Sequence, residues 1–165
     1  MIIYGKQLIL HLLKSYPERI ETIFLAKECE PKLLSQMARV TDKICRIDEK
    51  KAQALSRGGN HQGFIAQIKD VELTSFNEIK KGSFLVVLDE VTDVGNIGAI
   101  VRSAYAFGAD GLILSGVKTC NLEAILRTSS AAAFELPIAV CASTKDMMNE
   151  LKQIGFSLYG ADMGG

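Results

Sequence analysis

A chain of 165 residues that is 48% hydrophobic has enough apolar material for one ample domain or two small ones, and it needs no disulfide to fold. Its formal net charge of zero hides an asymmetry: residues 1–80 hold 13 Lys/Arg and 10 Asp/Glu, residues 81–165 hold 6 and 9, so the halves carry +3 and −3. The first half is thereby a weak candidate for meeting a polyanion, an ordinary solvated surface being the plainer explanation. No apolar run approaches membrane-spanning length and no basic stretch followed by an apolar one opens the chain, so a soluble cytoplasmic protein without membrane contact is expected.

The elements alternate from the start. Met1 to Gly5 reads as a short extended segment, and Leu8, Leu12 and Leu13 then mark a helix that stops near Pro17. Ile20 to Ala26 reads as a strand, Lys32 to Val40 as a helix with Leu33, Leu34 and Met37 inward, and Lys43 to Ile47 as a second strand. Asp48 suits the N-cap of a helix over Glu49 to Ser56, which Arg57-Gly-Gly-Asn60 ends, and Phe64 to Ile68 is another strand. Residues 1–70 thus form a small α/β module, and residues 71–82 a polar linker.

The second module, residues 83–165, alternates in the same way. Strands are expected at Phe84–Leu88, Gly111–Leu114, Pro137–Val140 and Phe156–Tyr159, with helices over 96–107, Leu122–Thr128 and Lys145–Ile154, which implies a mostly parallel sheet. Along the first helix Ile97, Ile100, Val101, Ala104 and Phe107 face the core, while Gly98, Ala99 and Arg102 fall elsewhere. The chain stops at Gly165, just past a strand and before any helix that would cover it, so a fragment boundary is expected there.

Four cysteines, Cys29, Cys45, Cys120 and Cys141, show no C-x-x-C pairing and read as reduced core residues. Only His11 and His61 could supply imidazole to a zinc ion and neither is near a cysteine, so no metal site is expected. The segment from Asp89 to Asn96 joins a buried strand to a helix, the place where open α/β sheets carry their chemistry. Asp89, Glu90 and Asp93 suit general-base or metal chemistry there, and equally suit helix capping. Asn96 is open to an N-cap role. Arg102 offers a planar fork for phosphate or carboxylate, or a salt bridge. Neither G-x-G-x-x-G nor a Walker A sequence occurs, which disfavours a nicotinamide or ATP site. His61-Gln62-Gly63, with Arg57 nearby, reads as a hairpin turn or an RNA-contacting loop. Arg127 followed by Thr128, Ser129, Ser130 and alanines reads as a close approach to a ligand or as tight helix packing.

Taken together, Leu88-Asp89, Asp93, Asn96-Ile97-Gly98-Ala99, Arg102-Ser103-Ala104 and Phe107-Gly108 strongly resemble the first motif of the SpoU/TrmH family of RNA ribose 2'-O-methyltransferases, within the SPOUT superfamily. Tyr4-Gly5-Lys6, His61-Gln62-Gly63, Thr128-Ser129-Ser130-Ala131 and Leu136-Pro137 follow in family order, so the resemblance spans the chain. It implies a small substrate-binding domain similar to ribosomal protein L30e, followed by the first part of a parallel-sheet SPOUT methyltransferase domain. It implies methyl transfer from S-adenosylmethionine to a ribose 2'-OH, foremost a guanosine of 23S ribosomal RNA and otherwise transfer RNA, by a homodimer. Arg102 would be the catalytic arginine and Asn96 a contact to the target nucleotide, with Arg57, His61, Gln62, Arg127 and Ser129 facing RNA. Val94 stands where the family often has proline and Ala131 where glycine is frequent. The family's later G-x-E-G and S-L-N-V-S segments have no counterpart before Gly165, so the cofactor-binding residues are expected beyond it and this chain alone is expected to be inactive. A non-catalytic RNA-binding module is the alternative for the chain by itself.

Overall fold

A short apolar run, a glycine and leucines at helical spacing become β1 (Ile2–Tyr4) and α1 (Lys6–Ser15). In the computed structural model, which describes residues 1–164, Gly5 between them takes φ +109°, a value that a side chain would oppose. The helix ends before Pro17, which opens a 3-10 turn. Next come β2 (Ile20–Leu25), α2 (Pro31–Val40), β3 (Ile44–Arg46), α3 (Glu49–Leu55) and β4 (Phe64–Ile68). Asp48 caps α3 as its residue type suggests, its carboxylate accepting from the Lys51 amide at 2.8 Å. Left-handed Arg57 and Gly58 close that helix.

These strands form one sheet in the order β1-β4-β2-β3, with β4 antiparallel to both neighbours and β3 parallel to β2. In β4, paired on both edges, Phe64, Ala66 and Ile68 are buried on one face and Ile65 on the other, where Gln67 is exposed. Ile9 and Leu12 of α1 and Met37 of α2 are fully buried in the same unit, which spans Met1–Glu72. Each such side chain contributes roughly 1.5–3 kcal/mol by leaving water.

From Leu73 onward the chain forms a second unit. Its elements are α4 (Phe76–Ile79), β5 (Leu85–Asp89), α5 (Val94–Ala106), β6 (Gly111–Ser115), α6 (Leu122–Thr128), β7 (Ile138–Cys141) and α7 (Thr144–Gln153). The sheet is parallel throughout, in the order β5-β6-β7. Central β6 is buried at every position, whereas β5, whose unbroken apolar run reads as a buried strand, is half-buried because it lies at the end of this sheet's strand order. The helical turn α4 falls within the stretch that reads as a linker. Ser75 caps it, and Ile79 is buried with Ile113, Ala139, Met147 and Leu151. Four residues are too few to show a helical period, so only Ile79's burial reveals the element.

Three other expectations are corrected. Phe156–Tyr159 is not a strand: the Phe156 amide closes the end of α7 on the Leu151 carbonyl. Its alternation is nevertheless real, since Phe156 and Leu158 pack on the core while Ser157 and Tyr159 face out. Phe107 is 82% exposed because α5 has ended and Phe107 is its C-cap. None of the cysteines is a core residue; Cys45 is exposed and the other three are half-buried, all with free thiols. Burial pushes the thiols of Cys120 and Cys141 up, away from the reactive thiolate form.

The start of β5 is fastened by a carboxylate. Asp110 Oδ2 accepts from the backbone amides of Ser83 and Phe84 at 2.8 and 2.9 Å. The Phe84 and Ser83 bonds hold its carboxyl below the ordinary 3.8. A depressed carboxyl stabilises the fold at neutral pH, and that contribution is lost as the pH falls through its folded-state value. Asp110→Ala is therefore expected to lower the urea midpoint at neutral pH, and the gap to the unsubstituted chain should close in acid. A gap that stays constant with pH would contradict this role.

Candidate functional site

At the carboxyl end of the parallel sheet the chain needs to turn from β5 into α5 without leaving polar groups unpaired. Asp89 Oδ1 accepts from the Ser115 hydroxyl at 3.1 Å and from the Thr144 hydroxyl at 2.6 Å, tying β5 to the end of β6 and the start of α7. Glu90 follows with φ +56°, and its amide donates to the Ser115 carbonyl at 2.9 Å. Asp93 caps α5, accepting from the Asn96 amide at 2.8 Å. The acids thus fasten the turn, and among the described residues no group of three or more His, Cys, Asp or Glu is placed to hold a metal ion.

Asn96 is consequently not the N-cap; it lies in the first turn of α5 with its side chain exposed. Val94 occupies the first helical position, where the proline that the family resemblance leads one to expect would also fit. Arg102 is exposed and forms no ion pair or side-chain hydrogen bond among the described residues.

Gly98 is buried against α6. A Cβ on it would fall inside the Thr128 side chain and 2.6 Å from the Thr128 carbonyl carbon. The Thr128 hydroxyl lies 2.8 Å from the Val94 carbonyl and 2.9 Å from the Ala124 carbonyl, so one hydroxyl hydrogen links the first turn of α5 to α6. Thr128, in a run whose sequence suggested tight helix packing as one reading, positions the site together with Ser115 and Thr144, which were not singled out from sequence. The available signal was a hydroxyl at the end of an apolar strand or helix. Ser129, expected to face RNA, is fully buried: its hydroxyl donates to the Leu126 carbonyl and accepts from the Ala133 amide, both at 3.2 Å. Arg127 is half-exposed. Ala131 takes φ +70°, the left-handed value that explains a preference for glycine at this position.

In the first unit the structure brings two distant motifs together. The Gly5 amide donates to the Phe64 carbonyl at 3.0 Å, and the Lys6 amide donates to Gln62 Oε1 at 3.0 Å. Gly59 leaves room for the Tyr4 ring, which a Cβ would strike. His61, expected to contact RNA, is 4% exposed. Its Nδ1 accepts from the Gly63 amide at 2.9 Å, which leaves Nε2 to donate to Glu49 at 3.1 Å. Hydrogen bonding from Gln53, then the nearby imidazole, draws the Glu49 carboxyl below its ordinary value. His61 therefore orders the loop, whereas Arg57 and Gln62 are exposed on it.

Residues 83–165 match the model of the SpoU rRNA Methylase family, and residues 2–74 match that of RNA 2'-O ribose methyltransferase substrate binding. The 23S rRNA (guanosine-2'-O-)-methyltransferase RlmB of Haemophilus ducreyi is 32% identical over 161 residues, covering 91% of this chain and 65% of that protein. An uncharacterized tRNA/rRNA methyltransferase of Borreliella burgdorferi is 30% identical over 159 residues, covering 87% of this chain and 69% of that one. The crystal structure of an AdoMet-bound rRNA methyltransferase from Sinorhizobium meliloti aligns with a TM-score of 0.65 at 25% identity, over 92% of this chain and 57% of its own. A mixed-sheet unit followed by a parallel sheet is thus a plan shared with that rRNA methyltransferase. The chain belongs to the SpoU rRNA methylase family. It spans 65% of the length of its Haemophilus relative.

Gly98→Ala is expected to destabilise the second unit by about 1–3 kcal/mol, because the added methyl meets Thr128 backbone that cannot yield freely. Ala99→Ser, on the exposed side of the same turn, should change stability by no more than about 0.5 kcal/mol. Chemical denaturation of both variants checks the contrast.

Proposed function

We propose that the full-length gene product methylates an RNA ribose 2'-OH with S-adenosylmethionine as donor, and that Asn96 and Arg102 form its ribose-facing groups. The observation that carries the reading is that both side chains are exposed, with no side-chain partner among the described residues, on the helix leaving the carboxyl end of a parallel strand, while the Asp89 and Asp93 carboxylates beside them hold the turn. A ribose hydroxyl is a poor nucleophile, its pKa far above neutrality. Attack requires alignment together with donors or cations that stabilise the developing alkoxide. Arg102, always charged, is suited to hold the adjacent phosphate and offset that charge. Asn96 can donate to or accept from the target nucleotide, its backbone fixed by Asp93.

Asp89, Ser115 and Thr144 are engaged with one another at the carboxyl end of the sheet. The roles derived from this chain are confined to the ribose side. A guanosine of 23S rRNA as target takes its support from the Haemophilus relative, and a transfer RNA alternative from the Borreliella relative's name. Homodimerisation and a cytoplasmic location belong to the same proposal, since the proposed RNA substrate is cytoplasmic. RNA contact by Arg57, Gln62 and Arg127 belongs to it too, with His61 and Ser129 holding the loops that carry them.

Arg102→Ala in the full-length product is expected to lower methyl transfer by about 10²-fold or more. The melting temperature should hardly change, because the guanidinium supports no other group. Undiminished ribose methylation by this variant would remove Arg102 from the mechanism.

A further inference from the structure

A cavity of about 490 Å³ opens in the first unit among the start of α1, the loop between β2 and α2, one side of α2, and the start of β4. Clefts that receive small ligands run from about 300 to 1,000 Å³. None of the groups assigned so far except Gln62 lines it. Leu10, Leu33 and Phe64 give it apolar walls, and Lys6, Lys27 and Lys32 are exposed around it. Two of the lysines lie against their surroundings. Gly63 has no side chain because a Cβ there would come within 2.8 Å of Lys27 Cγ, so the Lys27 stem lies across the glycine. Lys6 Nζ sits 5.9 Å from the centre of the Phe64 ring, and Gln62 fixes the Lys6 backbone.

An apolar peptide would leave three lysines unmatched, and a free phosphate would leave the apolar walls without a partner. Glu28 and Glu30, also lining the cavity, oppose a phosphate buried among them but accept hydrogen bonds from amino groups. A heteroaromatic ring with hydrogen-bonding edges, joined to phosphates that stay outside, satisfies all of these surfaces. We propose that this cavity seats the base of one unpaired RNA nucleotide, its flanking phosphates resting on Lys6, Lys27 and Lys32. The inference rests on the RNA reading above and adds where, and in what form, the RNA is held. Paired bases cannot enter, since duplex RNA is read by shape and backbone whereas splayed-out bases are stacked and hydrogen-bonded.

The test uses the 165-residue chain with two probes: an RNA hairpin carrying an unpaired loop of mixed sequence, and a blunt duplex of the same stem. The hairpin should shift the methyl resonances of Leu10 and Leu33, and the duplex should leave them in place. Leu33→Trp and Gln36→Trp, which fill the cavity from α2, should each weaken hairpin binding by about tenfold or more. Lys32→Gln should reduce the slope of log affinity against log salt by about 0.7. Hairpin binding with unmoved methyls and unchanged affinity in both tryptophan variants would overturn the cavity assignment while leaving RNA binding intact. An equal methyl response to the duplex would overturn the requirement for an unpaired base. No binding of either RNA at low salt would sink both this inference and the RNA reading of the chain.

Discussion

The contact between Gly98 and Thr128 is the constraint on which the candidate site depends. A glycine inside a helix costs about 1 kcal/mol relative to alanine, and here it permits α5 and α6 to approach until the Thr128 hydroxyl reaches the Val94 carbonyl. That bond holds the first turn of α5 from one side and the Asp93 cap holds it from another. With Ile97, Val101 and Ala104 buried, the remaining face, which carries Asn96, Ala99 and Arg102, is left to solvent. The arginine is presented by a helix whose rotation and start are both determined by packing.

Similar economy governs the loops. At the carboxyl end of the second sheet a single carboxylate, Asp89, joins two hydroxyls from different elements. In the first unit Gln62 joins a loop to the start of α1, and His61 is fully engaged beneath it. Each unit therefore has a polar cluster that fixes backbone and leaves a few cationic or amide groups unburied. Such an arrangement suits RNA, whose phosphates ask for cations at the surface and whose unpaired bases ask for shaped apolar walls.

Much of the fold was legible in the sequence because most elements are long enough to show their period and are punctuated by glycine, proline or a capping acid. Asp48 and the Arg57-Gly58 stop are examples, whereas the unbroken apolar run of Phe84–Leu88, read as a buried strand, is only half-buried as β5 and full burial falls on β6. Strand direction in the first unit was not legible. Helices separate most of its strands, yet β4 runs antiparallel to both neighbours, a matter of long-range pairing that no local pattern encodes. The Phe156–Tyr159 alternation correctly indicated one face on the core, but alternation cannot tell whether a neighbouring strand exists to pair with. For the candidate site, residue types and resemblance singled out Asn96 and Arg102, which are exposed, while His61 and Ser129 show that a polar residue in a motif can serve by being buried. Family resemblance suggested the chemistry; the structure shows a helical first position at Val94 and a left-handed backbone at Ala131.

The claim that the chemistry is ribose methylation is tested most directly by locating the methyl group. The full-length gene product would be incubated with ribosomal RNA and methyl-labelled S-adenosylmethionine, and the RNA then hydrolysed in alkali. A 2'-O-methyl ribose cannot assist cleavage of its own phosphodiester, so the account predicts label in an alkali-resistant dinucleotide. Label recovered in mononucleotides, as from a methylated base, would contradict it.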